Sequence, residues 1–193
     1  MTQERWRARR QPDYHLTMGT DGERVSAFLA DLDGEDAKLA KALGRLGDDA
    51  TVHLEAVVAR FDRAHSGKLD EGDRELARQI LHLLHRPSPR GLELLASILA
   101  FLDCDTDRVL DHQELNLATE VLELFCKADS ANDTLSNKEL EVLQAVLMHL
   151  DKDGNGVLDE AERRALRDEL WDPAAFLEGQ KRDNPLVREL LGL

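Results

Sequence analysis

Two twelve-residue stretches of this chain set oxygen-bearing side chains at alternate positions. One runs Asp151-Lys152-Asp153-Gly154-Asn155-Gly156-Val157-Leu158-Asp159-Glu160-Ala161-Glu162. Asp151, Asp153 and Asn155 stand at its positions 1, 3 and 5, the carbonyl of Val157 at 7, Asp159 at 9 and Glu162 at 12. Gly156, at position 6, permits a sharp turn that a Cβ would strain. A donor set made only of oxygens suits a hard divalent cation, which takes about six to eight of them. The paired oxygens of a closing glutamate favour calcium over the smaller magnesium.

The other stretch is Asp103 to Glu114. Asp103, Asp105 and Asp107 occupy positions 1, 3 and 5, Val109 position 7, Leu110 position 8, Asp111 position 9 and Glu114 position 12. Arg108 replaces the glycine at position 6 and must then adopt a left-handed backbone, at a cost of roughly 1 kcal/mol. Five carboxylates around one ion outweigh that strain, so this stretch also reads as a binding loop.

Two further segments carry parts of the same pattern. In 62–73, Asp62, Ser66, Gly67, Leu69 and Asp70 fall in register, with the carbonyl of Lys68 at position 7. Ala64 offers no oxygen at position 3, and Asp73 at position 12 is one methylene shorter than glutamate. Such a loop binds calcium or magnesium weakly or stays empty. In 128–139, Leu135 and Glu139 read as positions 8 and 12, but Ala128 leaves position 1 without a ligand. That segment reads as a degenerate copy or a linker.

The segment 151–162 matches the pattern D-x-[DN]-x-[DN]-G-x₅-E throughout, with amphipathic stretches on both sides. It resembles an EF-hand, and the resemblance extends over about residues 50–171. It implies helix–loop–helix repeats, two bound calcium ions, and a weak calcium or magnesium site at the first loop. It also implies a calcium sensor or regulator that repacks helices to engage a protein partner. The alternative is a calcium buffer, or a calcium-stabilised structural or accessory module whose helices barely move.

The elements that must hold these loops are helices. Leu, Ala, Glu, Asp and Arg dominate the chain, aromatic residues make up 4%, and strand-forming runs are nearly absent. Apolar residues recur at helical spacing: Val25, Phe28, Leu29 and Leu32, then Leu39, Leu43 and Leu46, then Leu54, Val57, Val58 and Phe61. Leu92, Leu95, Leu99 and Leu102 form a later stripe, as do Leu140, Leu143, Leu147 and Leu150. The fold class is all-α. The expected organisation is a basic arm over 1–20, a helical segment over 21–49, the loop-bearing region over 50–171, and a tail over 172–193 with a short amphipathic helix at Pro185–Leu191. Arg86-Pro87-Ser88-Pro89-Arg90-Gly91 is the best hinge candidate, because residues before proline avoid helical geometry.

The loops begin at 62, 103, 128 and 151, so neighbouring starts lie 41, 25 and 23 residues apart. A gap of 23 leaves room for one helix of roughly 17 Å, which holds consecutive loops at opposite ends. Conventional side-by-side pairing is therefore expected between loops 62 and 103, with 103 and 151 as the alternative.

A net charge of −14 suits a cation or a basic partner and argues against nucleic acid, which calls for clustered positive charge. Arg5-Trp6-Arg7-Ala8-Arg9-Arg10 is not followed by an apolar stretch, and no run approaches the roughly 20 residues that span a membrane. With only Cys104 and Cys126 present, the reading is a cytoplasmic, reducing environment. His82 and His85 share a helix face but lack an evident third zinc ligand. No nucleophile triad, phosphate-cradling loop or zinc protease motif occurs, so a non-enzymatic role is expected.

Overall fold

The computed structural model describes residues 21–64, 66–128, 134–170 and 173–193. The basic arm, most of the variable part of loop 128–139, and Trp171-Asp172 lie outside the described residues. Among the described residues ten α-helices follow one another: α1 Asp21–Glu35, α2 Ala37–Gly44, α3 Asp48–Val58, α4 Glu71–His82, α5 Pro89–Leu102, α6 His112–Ala128, α7 Asn137–Leu150, α8 Glu160–Leu170, α9 Pro173–Asp183 and α10 Pro185–Leu191. A 3₁₀ turn, Ala59–Phe61, extends α3. Among the described residues there is no strand, and the expected all-α class is what the chain forms.

Local signals set the helix ends. Ser88 caps α5 by accepting from Gly91 N, with Pro89 in the first turn. Ser136 and Glu139 close a capping box on α7. Asn184 accepts from Leu186 N and Val187 N to start α10, and Gly192 ends it in the left-handed region.

Helices α1, α3, α5, α7 and α10 pack in succession, each against the next. The central member, α5, is apolar around much of its circumference: Leu92, Leu94, Leu95, Ile98, Leu99, Phe101 and Leu102 are all buried. It touches α3, α6 and α7. α9 bridges α6, α8 and α10.

The structure adds detail to the expected elements. The division drawn between residues 49 and 50 falls inside α3, which packs on both α1 and α5. The tail holds the expected helix at Pro185–Leu191 as α10, preceded by α9 over a stretch with no clear apolar stripe. The last helix, α10, packs on α7 of the same chain, and Asn184 fixes it there by donating to Ala145 O at 3.1 Å. The 86–91 stretch is braced. His85 N donates to Leu135 O at 2.9 Å, Leu84 and Leu135 form a parallel bridge, and Arg90 pairs with Glu141 at 3.1 Å.

Candidate metal centres

Loops 103–114 and 151–162 share one hydrogen-bond network, position by position. The position-1 carboxylate accepts from the position-6 amide: Asp103 from Arg108 N at 3.1 Å and Asp151 from Gly156 N at 3.0 Å. Position 3 accepts from position 5, Asp105 from Asp107 N and Asp153 from Asn155 N. Position 5 accepts from position 7, Asp107 from Val109 N and Asn155 from Val157 N, both at 2.8 Å. The closing glutamate accepts twice. Glu114 takes Cys104 N at 2.7 Å and Asp111 N at 2.9 Å, while Glu162 takes Lys152 N at 2.6 Å and Asp159 N at 3.1 Å. Asp111 and Asp159 return the bond by capping the helix that follows, accepting from Glu114 N and Glu162 N at 2.8 Å. Short polar side chains bonding to amides two to five residues away wind each loop inward.

The winding gathers three carboxylates in each loop. Asp103, Asp105 and Glu114 present ligand atoms within 4.8 Å of one another, and so do Asp151, Asp153 and Glu162. Asp103, Glu114, Asp151 and Glu162 are buried. Asp105 and Asp153, the third members, are exposed, so each cluster is partly desolvated and a cation would relieve its like-charge repulsion. Burial raises the Asp103 carboxyl above its ordinary value, Glu114 adds to the rise, and Arg60 opposes it. Asp103 Oδ1 is buried and has no hydrogen-bond partner, so one lone-pair-bearing atom of the cluster is left for a ligand. The residues present therefore fit a metal ion. The other expected ligands, Asp107, Asp111, Asn155 and Asp159, serve as hydrogen-bond acceptors within the loops and lie outside the three-carboxylate groups.

The position-6 backbone is left-handed in both loops, at φ 75° for Arg108 and 98° for Gly156. Position 4 is left-handed as well, at 61° for Thr106 and 73° for Gly154. The Arg108 strain was foreseeable from the pattern, whereas that at Thr106 has no place in it.

Loop 62–73 is wound on similar bonds but charged differently. Asp62 accepts from Gly67 N at 2.7 Å and Ser66 N at 2.9 Å, and Asp70 accepts from Asp73 N at 2.8 Å. Ser66 Oγ donates to the Lys68 carbonyl. Guanidinium groups lie against both acidic ends: Arg24 is 3.4 Å from Asp62, and Arg63 Nε donates to Asp73 at 2.5 Å. Among the described residues no group of three ligating side chains gathers here. In segment 128–139, Glu139 turns to Ser136, accepting from its amide and hydroxyl at 2.6 Å.

The loops at one end of the bundle are joined in series. Leu110, at position 8 of loop 103–114, donates its amide to Arg60 O at 2.8 Å, two residues before Asp62. Leu158, at position 8 of loop 151–162, donates to Phe101 O at 2.8 Å, two residues before Asp103. Loop 103 is thus neighbour to both 62 and 151, and each join runs from a loop to the helix end before its neighbour. Reciprocal bonding between two position-8 residues is not seen among the described residues. The reason is connectivity: α3, α5 and α7 pack in succession, so the loops that follow them line up with a helix end between each pair.

The two histidines part company. His82 Nε2 meets Asp36 Oδ2, and His85 Nδ1 lies 3.1 Å from Thr134 Oγ1. Cys104 is half-buried, its thiol donates to Leu102 O at 3.2 Å, and burial pushes it up to about 12. Beside loop 151–162 lies a cleft of about 840 Å³, lined by Glu162, Ala165, Asp168, Phe176 and Asp183 among others.

The fold and site define an all-helical protein with two acidic oxygen clusters able to hold a metal ion. No family model, curated protein or solved structure matches the chain. Among the described residues no helix is long and apolar enough to cross a membrane.

Proposed function

We propose that this protein binds two calcium ions, one at Asp103–Glu114 and one at Asp151–Glu162, as a non-enzymatic, cytoplasmic regulator of a protein partner. The observation that carries this reading is the repeated network that gathers three carboxylates within 4.8 Å in each loop. Oxygen donors of this kind favour calcium or magnesium over thiolate-seeking or imidazole-seeking metals. When bound, the ion supplies charge neutralisation and cross-links the two ends of its loop. The chain's own contribution is to hold position-1 and position-12 carboxylates inward, through the amides of Arg108 and Cys104 in one loop and of Gly156 and Lys152 in the other. The partner surface we favour is the cleft beside loop 151–162, because Glu162 lies on it and an ion there would reshape it.

A second reading is a calcium-stabilised structural module. It is favoured by the serial joins of Leu110 to Arg60 and Leu158 to Phe101, which tie each loop to a packed helix end. One set of titrations separates the two. Stripped protein should take up two calcium ions by calorimetry, with dissociation constants of about 10⁻⁷–10⁻⁵ M. Glu114→Gln and Glu162→Gln should each delete one of them. A rise in apolar-dye fluorescence with calcium supports the regulator; a raised melting temperature with no dye response supports the module. Absence of calcium uptake at either loop at millimolar concentration sinks both.

A further inference from the structure

We propose that Arg60 is a resident counter-cation of loop 103–114, whose guanidinium an incoming calcium ion must displace from Asp103, so that Arg60 sets the affinity of this site. The proposal rests on the calcium reading of that loop and adds a residue lying 43 positions before its first ligand. Arg60 Nη1 contacts Asp103 Oδ2, the oxygen that also accepts from Arg108 N. Both side chains are largely buried, at 17% and 4% exposure, so water screens their attraction little. The contact is not a chance meeting of long surface side chains. Arg60 sits in the 3₁₀ turn at the end of α3, and its carbonyl is fixed by Leu110 N from within the same loop. Backbone and side chain of one residue therefore grip loop 103–114 at positions 8 and 1.

The first loop extends the pattern. There Arg24 approaches the position-1 aspartate and Arg63 holds the position-12 aspartate. Both acidic ends of that loop are matched by arginine, and its carboxylates do not gather. In loop 103–114 the arginine reaches one oxygen of Asp103 only. Its other oxygen, Asp103 Oδ1, stays unpartnered, and three carboxylates still converge. Loop 103–114 is thus the case in which an internal cation and a metal compete for one aspartate. A divalent ion bound by Asp103 would stand within a few ångströms of the guanidinium, and their repulsion lowers affinity unless Arg60 withdraws.

Removing the charge should therefore tighten binding, whereas a mere positioning role would weaken it. The test is calcium titration of the full chain in a Glu162→Gln background, where loop 103–114 alone binds tightly, comparing Arg60, Arg60→Gln and Arg60→Lys. The expected result is a dissociation constant roughly tenfold lower for Arg60→Gln, with Arg60→Lys within about threefold of the parent. Unchanged or weaker binding in a folded Arg60→Gln protein overturns the proposal while leaving the calcium reading intact. No binding at either loop of the otherwise unaltered protein overturns both. Should Arg60→Gln fail to fold by helicity, nitrogen-15 spectra of the unaltered chain decide. Movement of the Arg60 Nε–H resonance on calcium saturation supports displacement, and its absence rejects it.

Discussion

At the scale of single residues, the two loops differ most in what their left-handed positions contain. Gly154 and Gly156 occupy those positions without side-chain strain, whereas Thr106 and Arg108 occupy the equivalents at φ 61° and 75°. A β-branched residue is especially poorly placed there, since both branches crowd the backbone. Each of Thr106→Gly and Arg108→Gly should therefore stabilise the metal-free protein by about 0.5–1 kcal/mol, the relieved strain being partly offset by glycine's larger unfolded entropy. In a chain of this length that raises the melting temperature by about 1–4 °C, measurable by calorimetry. Equivalent substitutions at exposed helical positions, such as Asn116→Gly in α6, should lower it. A fall at position 106 or 108 would mean that the side chain there makes a contact worth more than the strain.

At the scale of elements, caps and ion pairs decide how the N-terminal helices join the loop-bearing ones. Asp36 caps α2 by accepting from Leu39 N at 3.2 Å and reaches across to His82 at the end of α4. The Leu39 amide holds its carboxyl below the ordinary value of 3.8, with His82 adding to the effect and burial opposing it. A carboxyl lowered on folding stabilises the native state fully above its unfolded pKa and loses that contribution as pH falls through the folded one. Asp36→Ala should thus cost about 1 kcal/mol at pH 7, a typical loss for an N-cap. The difference should shrink as pH falls below about 4 in urea melts of the two proteins. Asp36→Asn, which keeps the cap acceptor, should retain most of the stability at neutral pH. A difference that grows on acidification would assign the wrong sign to the group.

The same scale shows what could be read from the chain and what could not. The helices around loops 103 and 151 were legible because periodicity and capping are local. Ser136 and Glu139, or Pro185 after Asn184, act within one turn of themselves. The inward turn of Asp103, Asp105 and Glu114 was equally legible, since positions 1, 3 and 12 are fixed by bonds spanning at most ten residues. Helix α9 was missed because its apolar residues form no stripe, and it is held by neighbours on three other helices. Arg24, Arg60 and Arg63 were invisible for a different reason. Arginine is common on helices, and only packing shows that three of them point at loop carboxylates. The serial joining of the loops was also hidden. Spacing rules out side-by-side loops along one helix, but it does not reveal which helix end each position-8 amide will meet.

At the scale of the whole molecule, that serial joining would make the two candidate metal centres parts of one device. Leu158 N holds the carbonyl of Phe101, and two residues later the chain supplies Asp103. On the calcium reading, an ion in loop 151–162 would order position 8, and with it the end of α5 from which loop 103–114 departs. A second ion would then meet a loop whose entrance is already fixed, and the ordering cost would be shared. Coupling through one buried backbone bond and the packing around it should amount to about 1 kcal/mol, or roughly fivefold in affinity. Linkage adds a stricter demand than magnitude: the coupling must be reciprocal. If calcium at Asp151–Glu162 tightens binding at Asp103–Glu114 by some factor, calcium at Asp103–Glu114 must tighten binding at Asp151–Glu162 by that same factor, with Glu162→Gln and Glu114→Gln standing in for the empty partner loop. Calorimetric titration of the three proteins at one salt concentration measures both factors. Equal factors above about three would establish that α5 transmits the state of one loop to the other. Two factors near one would show that the Phe101–Leu158 bond holds the loops in place without carrying information between them.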